Sequence, residues 1–383
     1  MTLADLQSDE ELRREEFPVV RNKVFLAHAG VCALPRRVAE AIRRYSERCT
    51  EDDQESLLPE AEVQQARESA ARLLGAQAGE IAFVGPTSLA LSFVAGGLRF
   101  KKNDNILIYF DDYPANVYPW TALAGKGVQV RLINIRELGR IRTVDVLGQL
   151  DESTRLVALA SCHFLGGYRI DLDAIGSALR QRGILFCVDA IQTLGAFPTT
   201  VQHIDFLAAD AHKWMLGPCA AGLLYVRKGV QDLLRPIAFG WNNVLCPNYI
   251  AQERMTFGSG AKRYEAGTHN LLGLVGLRAA LELLEGIGIE NIARELLRKR
   301  SWLVPALQSK GYSVLHADAP PENASGIITF YQAGTDMAAL HERLNQAHIA
   351  ASLRSDRSGQ QFIRFSPHFY NTDSELRRAL EIL

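Results

Sequence analysis

Several features that would direct a chain to a membrane, a metal or a nucleic acid are missing from this sequence. No apolar run approaches the ~18 residues that cross a bilayer, so no membrane span is expected. The formal net charge is -1, with 42 basic against 43 acidic side chains, which leaves no basic field for nucleic acid or an anionic lipid surface. Six cysteines (Cys32, Cys49, Cys162, Cys187, Cys219, Cys246) are scattered without a Cys-x-x-Cys pair, too sparse for a disulfide framework. Cys187, inside the apolar run ILFCVD, reads as a small buried thiol. The nine histidines contain no HExxH and no other ligand spacing, so no metal is expected. No Gly-x-Gly-x-x-Gly follows a strand candidate, which argues against a nicotinamide enzyme. The opening MTLADLQSDEELRREEF is acidic and polar, unlike a secretory or import segment, and a cytoplasmic protein is the expectation.

What is present is an ordinary globular composition, 48% hydrophobic and 22% charged over 383 residues, enough for one large or two medium domains. From about residue 80 to 230, seven short apolar runs alternate with helix-like segments: EIAFVG, NILIYFD, VQVRLINI, RLVALAS, ILFCVD, DFLAAD and GLLYVR. Continuous rather than alternating apolar character suits strands covered on both faces, hence a mostly parallel seven-stranded sheet in an α/β layer. DLDAIGSALRQRG carries an acidic cap candidate and ends in Gly183, a suitable residue just past a helix. After about residue 260 the texture changes. NLLGLVGLRAALELLEGIG reads as a long buried helix, and a smaller α+β unit follows, with capping-box spacing at Thr372 and Glu375. The division drawn is a large α/β domain over 16–260 and a smaller C-terminal domain over 261–383, joined by the segment 1–15.

In open α/β sheets, ligands bind beyond the carboxyl ends of the strands. Polar residues cluster at four such ends: Asp189 with Gln192; Asp210, His212 and Lys213; Thr87 and Ser88; and Asp111, Asp112 and Tyr113. A lysine in that crevice loses hydration, its pKa falls, and its amine becomes a nucleophile that forms Schiff bases. Hydroxyls and free N–H groups at a helix start suit an anion. A carboxylate at a neighbouring strand end suits a cationic ring nitrogen. Together these are the needs of pyridoxal phosphate.

The stretch VDAIQTLGAFPTTVQHIDFLAADAHKWMLGPCAAGLLYVRKG resembles the signature of the class V aminotransferases, which are fold-type-I pyridoxal-phosphate enzymes. GPTS, YPANVYPW, YEAGTHN and IRFSPHFYNT match in the family's order, so the resemblance spans roughly residues 24 to 383. It implies that Lys213 holds the cofactor as an internal aldimine and then serves as base and acid at the substrate α-carbon. Asp189 would keep the ring nitrogen protonated, and Gln192 would bond the ring oxygen. Thr87, Ser88 and His212 would bind the phosphate, joined by Gly267 and Thr268 from the neighbouring subunit of a homodimer with a shared site. Arg364 would clamp the carboxylate of an amino-acid substrate.

Three positions depart from the family. Tyr113 stands where many relatives stack a histidine on the ring. His163 stands where desulfurases have asparagine, and from there it would reach the ring oxygen. Asp210 stands where serine is frequent, and its charge implies that it points away from the phosphate. The resemblance implies an enzyme that acts on an amino acid, most simply by transamination. A lyase or epimerase, of the selenocysteine-lyase or isopenicillin-N-epimerase kind, is the alternative on the same fold, and a catalytically silent binding protein a third. Cysteine desulfuration through a persulfide is disfavoured, because ASLRSDRSGQQFIR holds no cysteine where desulfurases carry one.

Overall fold

A computed structural model describes residues 1–383. The first strand, β1 (Val24–Phe25), belongs to a small C-terminal unit, whereas β2 (Ile81–Phe83), β3 (Asn105–Ile108), β4 (Gln129–Leu132), β5 (Thr154–Ala160), β6 (Leu185–Asp189), β7 (Phe206–Asp210) and β8 (Gly222–Val226) form one seven-stranded sheet. These are the seven runs read from the sequence, and their order across the sheet is β2-β8-β7-β6-β5-β3-β4. From β4 to β7 all neighbours are parallel; β8 alone runs against both β7 and β2. A parallel neighbour needs a crossover, and between β5 and β6 it is the helix Leu172–Gln181, capped by Asp171 and followed by Gly183 with φ +67°. An antiparallel neighbour needs only a return loop. Residues 211–221 make that return from β7 to β8, and Lys213 rides on it.

Both faces of the sheet are covered. Leu107, Val157, Phe186, Val188, Leu207 and Leu223 pack on one side; Ile106, Leu156, Ala158, Cys187, Phe206 and Leu224 pack on the other. Alternate residues of the inner strands therefore meet different cores, and both sets must be apolar. The long helix Leu271–Ile287 has Leu274, Leu277, Leu281 and Leu284 in the first of these cores. The sequence division at 260/261 thus falls ahead of a helix that packs with the large sheet.

The small unit holds an antiparallel sheet of order β12-β13-β10-β9, built from β9 (Ser313–Val314), β10 (Ile328–Tyr331), β12 (Ser352–Ser355) and β13 (Gln361–Phe365). Its β11 (Ile349–Ala350) pairs in parallel with β1, and Ala27 bridges Ser366 just beyond, so the chain's start is stitched to its end. Phe17 stacks on Tyr370 at 4.0 Å and reinforces that seam. The last helix, Asp373–Ile382, has the Thr372/Glu375 capping box that its spacing called for.

The edge strand β2 is secured by a buried ion pair. Arg67 forks onto Glu265, with Nη1–Oε1 at 2.5 Å and Nη2–Oε2 at 3.1 Å, and Glu265 also accepts the Phe83 N–H at 2.7 Å. Both side chains are almost wholly buried. Glu265→Ala would strand the Arg67 charge in the interior, and a loss of about 3–5 kcal/mol is expected. A fall in the urea midpoint measures it; an unchanged midpoint would show the pair to be dispensable.

Candidate active site

The carboxyl ends of β2, β3, β6 and β7 open into one cavity of about 300 Å³. Thr87, Ser88, Tyr113, Asp189, Gln192, His212, Lys213 and Arg364 all line it, so eight of the residues singled out from the sequence meet in one place. The small unit closes one wall with Arg354 and Arg364, and the loop Ala29–Val31 closes another.

Lys213 is only 7% exposed. Its loop turns back at Leu216, which adopts φ +59°, and Gly217 N–H bonds to Ala211 O at 2.9 Å. A left-handed leucine is strained backbone of the kind found at functional turns. Gly195 permits the approach behind the lysine, since a Cβ there would lie 2.5 Å from the Trp214 carbonyl oxygen. Burial pushes the Lys213 amine below the ordinary lysine range; Asp189 opposes that shift, whereas Arg364 and Arg354 add to it. The amine stands 5.3 Å from the centre of the Tyr113 ring.

Asp189 ends β6. Its Oδ1 accepts the Ile191 N–H at 3.0 Å, and Oδ2 has no protein donor. Burial, reinforced by the nearby Asp112, pushes its carboxyl up, so a bare carboxylate here calls for a cationic partner. Gln192 is held at both ends: Oε1 accepts from Trp214 Nε1 at 2.9 Å, and Nε2 donates to Ala29 O at 3.1 Å. One amide hydrogen of Gln192 is left for the cavity.

The anion seat lies at the start of the helix Thr87–Gly97. Pro86 is its N-cap residue, no side chain caps it, and the first N–H groups are open. Thr87 Oγ1 accepts the Asp210 N–H at 2.9 Å, which leaves the hydroxyl hydrogen to donate. His212 Nδ1 donates to Asp210 Oδ2 at 2.5 Å, so Nε2 is the nitrogen free to meet an anion. Asp210 is buried, stays off the cavity wall and also accepts the Ala220 N–H. The charge that looked misplaced beside a phosphate orients a histidine instead.

Arg364, 1% exposed, has no acidic partner. Nη1 donates to Phe164 O at 2.5 Å, Nη2 lies 3.4 Å from Ser352 Oγ, and Nε has no acceptor at all. A buried guanidinium in that state is incomplete without an anion.

Other expected residues are elsewhere. The structure does not bring His163 to the cavity wall: Nε2 donates to Asp111 O at 3.0 Å and Nδ1 accepts the Gly166 N–H at 2.9 Å, so both nitrogens are spent on backbone. Burial pushes its pKa down to about 4, which keeps it neutral. Phe164 takes the place on the wall. Gly267 and Thr268 line a separate cavity with Phe83 and His269, and Thr268 donates to Glu55 Oε1 at 2.8 Å. One contributor was read from the sequence only as a polar strand end, and a second escaped it. Asp112 accepts from Tyr113 N, Asn116 Nδ2 and Ala160 N, fixing the turn that presents Tyr113. Arg354 faces the cavity from β12; its signal was the arginine two residues beyond Ser352 in a strand, hence on the same face.

An uncapped helix start with donors to spare, a buried carboxylate with one oxygen free of protein donors and a desolvated lysine lining the same cavity fit pyridoxal phosphate. Comparison with known proteins agrees. The family model for aminotransferase class-V matches residues 24–379. The chain is 30% identical to a probable cysteine desulfurase of Methanothermobacter thermautotrophicus, over 98% of this chain and 97% of that protein. It is 28% identical to an uncharacterized aminotransferase, YcbU, of Bacillus subtilis, over 97% of this chain and 96% of that one. Among solved structures, the apo cysteine desulfurase of Thermococcus onnurineus NA1 superposes with a TM-score of 0.87 at 24% identity, covering 97% of this chain and 96% of that chain. The fold is therefore that of fold-type-I enzymes, and the chain belongs to the aminotransferase class-V family, whose cofactor is pyridoxal phosphate.

Proposed function

We propose that this protein acts at the α-carbon of an amino acid and transfers its amino group. The observation that carries the reading is Lys213: a buried amine, lowered in basicity, in one cavity with the carboxylate of Asp189 and the unpaired Arg364. When bound, the cofactor supplies an aldehyde for the lysine and a ring that accepts the electron pair left at the α-carbon. The remaining duties belong to the chain. Asp189 holds the positive charge on the ring nitrogen, and the free amide hydrogen of Gln192 meets the ring oxygen. Thr87, Ser88 and the Nε2 of His212 hold the phosphate, while Tyr113 covers the ring. Arg364 fixes the substrate carboxylate through its fork, and Lys213 Nζ takes up and returns the α-proton. His163 acts behind the wall, holding the Asp111 turn.

Relatives named cysteine desulfurases supply a second reading, elimination at sulfur. Against a persulfide route stands the absence of any cysteine from the cavity wall. Cys32, next in sequence to Val31, is held near Gly217 O, and burial pushes its thiol up to about 12, far from a reactive thiolate. Elimination without a protein thiol is compatible with the site.

A shared homodimeric site is part of the proposal. Gly267 and Thr268 lie outside their own subunit's cavity, and Asn242 Nδ2 contacts Gly267 O from a segment that exposes Phe239, Trp241, Leu245, Tyr249 and Ile250. Exposed apolar surface of that extent suits burial against a second subunit.

The loaded protein is expected to be yellow, with a band that borohydride bleaches and that Lys213→Ala lacks; a colourless protein that takes up no pyridoxal phosphate overturns the reading. Amino-acid addition should convert the band while one keto acid forms per site; pyruvate and ammonia without conversion would favour elimination. The rate of cofactor uptake should rise with pH and level off below the ~10.4 of a free lysine, because only the neutral amine attacks. Asp189→Asn removes the charge that holds the Lys213 pKa up, so its midpoint should fall further. Mixing Lys213→Ala with Thr268→Ala subunits should give more activity than the mean of the two; no gain would mean self-contained subunits.

A further inference from the structure

The cavity carries one more cation than the proposed chemistry uses. Arg364 answers the α-carboxylate of an amino acid, Asp189 answers the ring nitrogen, and the helix start with His212 answers the phosphate. Arg354 is left over. It has no acidic partner, and its one hydrogen bond runs to the neighbouring Leu353 carbonyl at 3.2 Å. Arg357, three residues on, shows the contrast: it takes Asp111 as its ion pair and lies over the Phe110 ring at 4.1 Å.

The hairpin explains why the two unpaired arginines face the same space. Ser352 stands opposite Arg364 in the β12–β13 register, and Arg354, two residues along β12, shares the Ser352 face. Arg354 and Arg364 are therefore diagonal neighbours on one face of an antiparallel pair. Their ends converge over Gly30. A methyl group built there would lie 3.1 Å from the Ala27 carbonyl oxygen, 3.8 Å from Arg364 Nη2 and 3.9 Å from Arg354 Nη2, so both guanidinium ends lie against the bare glycine. Two guanidinium groups and a lysine around one half-enclosed space repel one another. Asp189 is the one carboxylate lining the space, and in the proposed chemistry it answers the ring nitrogen; one α-carboxylate satisfies one fork.

We infer that Arg354 is a specificity-determining residue that receives an anionic side chain, so that the substrate is an acidic amino acid with a carboxylate, sulfinate or phosphate ester beyond its α-carbon. The inference rests on the amino-acid reading given above. Gly30 belongs to the same device, because any side chain there would press against both guanidinium ends.

The test compares ligands on the cofactor-loaded protein. Aspartate, glutamate, cysteine sulfinate and O-phosphoserine are titrated against alanine, following the visible band. Maleate and succinate are titrated against acetate by calorimetry, which needs no turnover. At least one acidic amino acid should bind more tightly than alanine by about 10–100-fold, and a diacid more tightly than acetate, as expected for one added charge-assisted contact. Arg354→Met and Arg354→Gln should collapse the acidic-to-alanine ratio, with Arg354→Lys restoring part of it. Gly30→Ala should lower the ratio in the same direction. If alanine and the acidic amino acids lose affinity together in Arg354→Met, the residue is a second clamp on the α-carboxylate and the inference falls. It falls equally if the wild type shows no preference for acidic side chains. If no amino acid changes the band while diacids still bind through Arg354, the catalytic reading fails and the anion site stands.

Discussion

An amine withdrawn from water must be neutralised, bonded or faced by a carboxylate, and Lys213 is placed where the first two are easy and the third is partial. Burial depresses its basicity, and Asp189, itself destabilised as a bare carboxylate, restores some of it. Burial disfavours the charged form of each group. A ligand that bonds the lysine and brings a cation to the aspartate relieves both at once, so the affinity of the site for its cofactor is written into the cost of leaving these two groups alone.

That arrangement holds only if the two groups cannot move away. Asp189 ends a strand whose residues are buried on both faces, and Lys213 rides on the return between antiparallel β7 and β8. Behind them, Gln192 is tied to Trp214 and Ala29, and the ring of His368 meets the Trp214 carbonyl at 3.0 Å. His28 bridges Tyr370 and the Ser366 carbonyl. The large sheet and the small unit are thereby locked around the lysine loop by buried, hydrogen-bonded side chains, each of which would be costly to leave unpaired.

Much of this was legible in the linear chain. The inner strands of the large sheet were visible because strands covered on both faces cannot hide polar residues among apolar ones; the edge strand β4, half exposed, was visible through its β-branched residues. The strand ends were visible for the opposite reason, as abrupt polar steps at Asp189, Asp210 and Asp111. His163 illustrates the limit. Its position beside the cavity wall was readable, but the use of its two nitrogens depends on the Asp111 carbonyl and the Gly166 amide, which no local pattern brings near. Arg354 illustrates the reverse. An arginine in a short polar strand is unremarkable until the hairpin register sets it diagonal to Arg364 and over Gly30.

The sequence by itself determined the parallel α/β layer, the desolvated lysine and the polar groups at the strand ends, since periodicity and burial are properties of neighbouring residues. Tertiary structure decided which of those groups meet. Asp210 became the partner of His212 rather than a contact of the anion, and Thr268 was carried to a different cavity from Lys213. Two arginines from the far end of the chain were turned onto the same wall. These outcomes rest on register and on closure between distant segments, and the free energy that selects them lies in contacts between residues far apart along the chain.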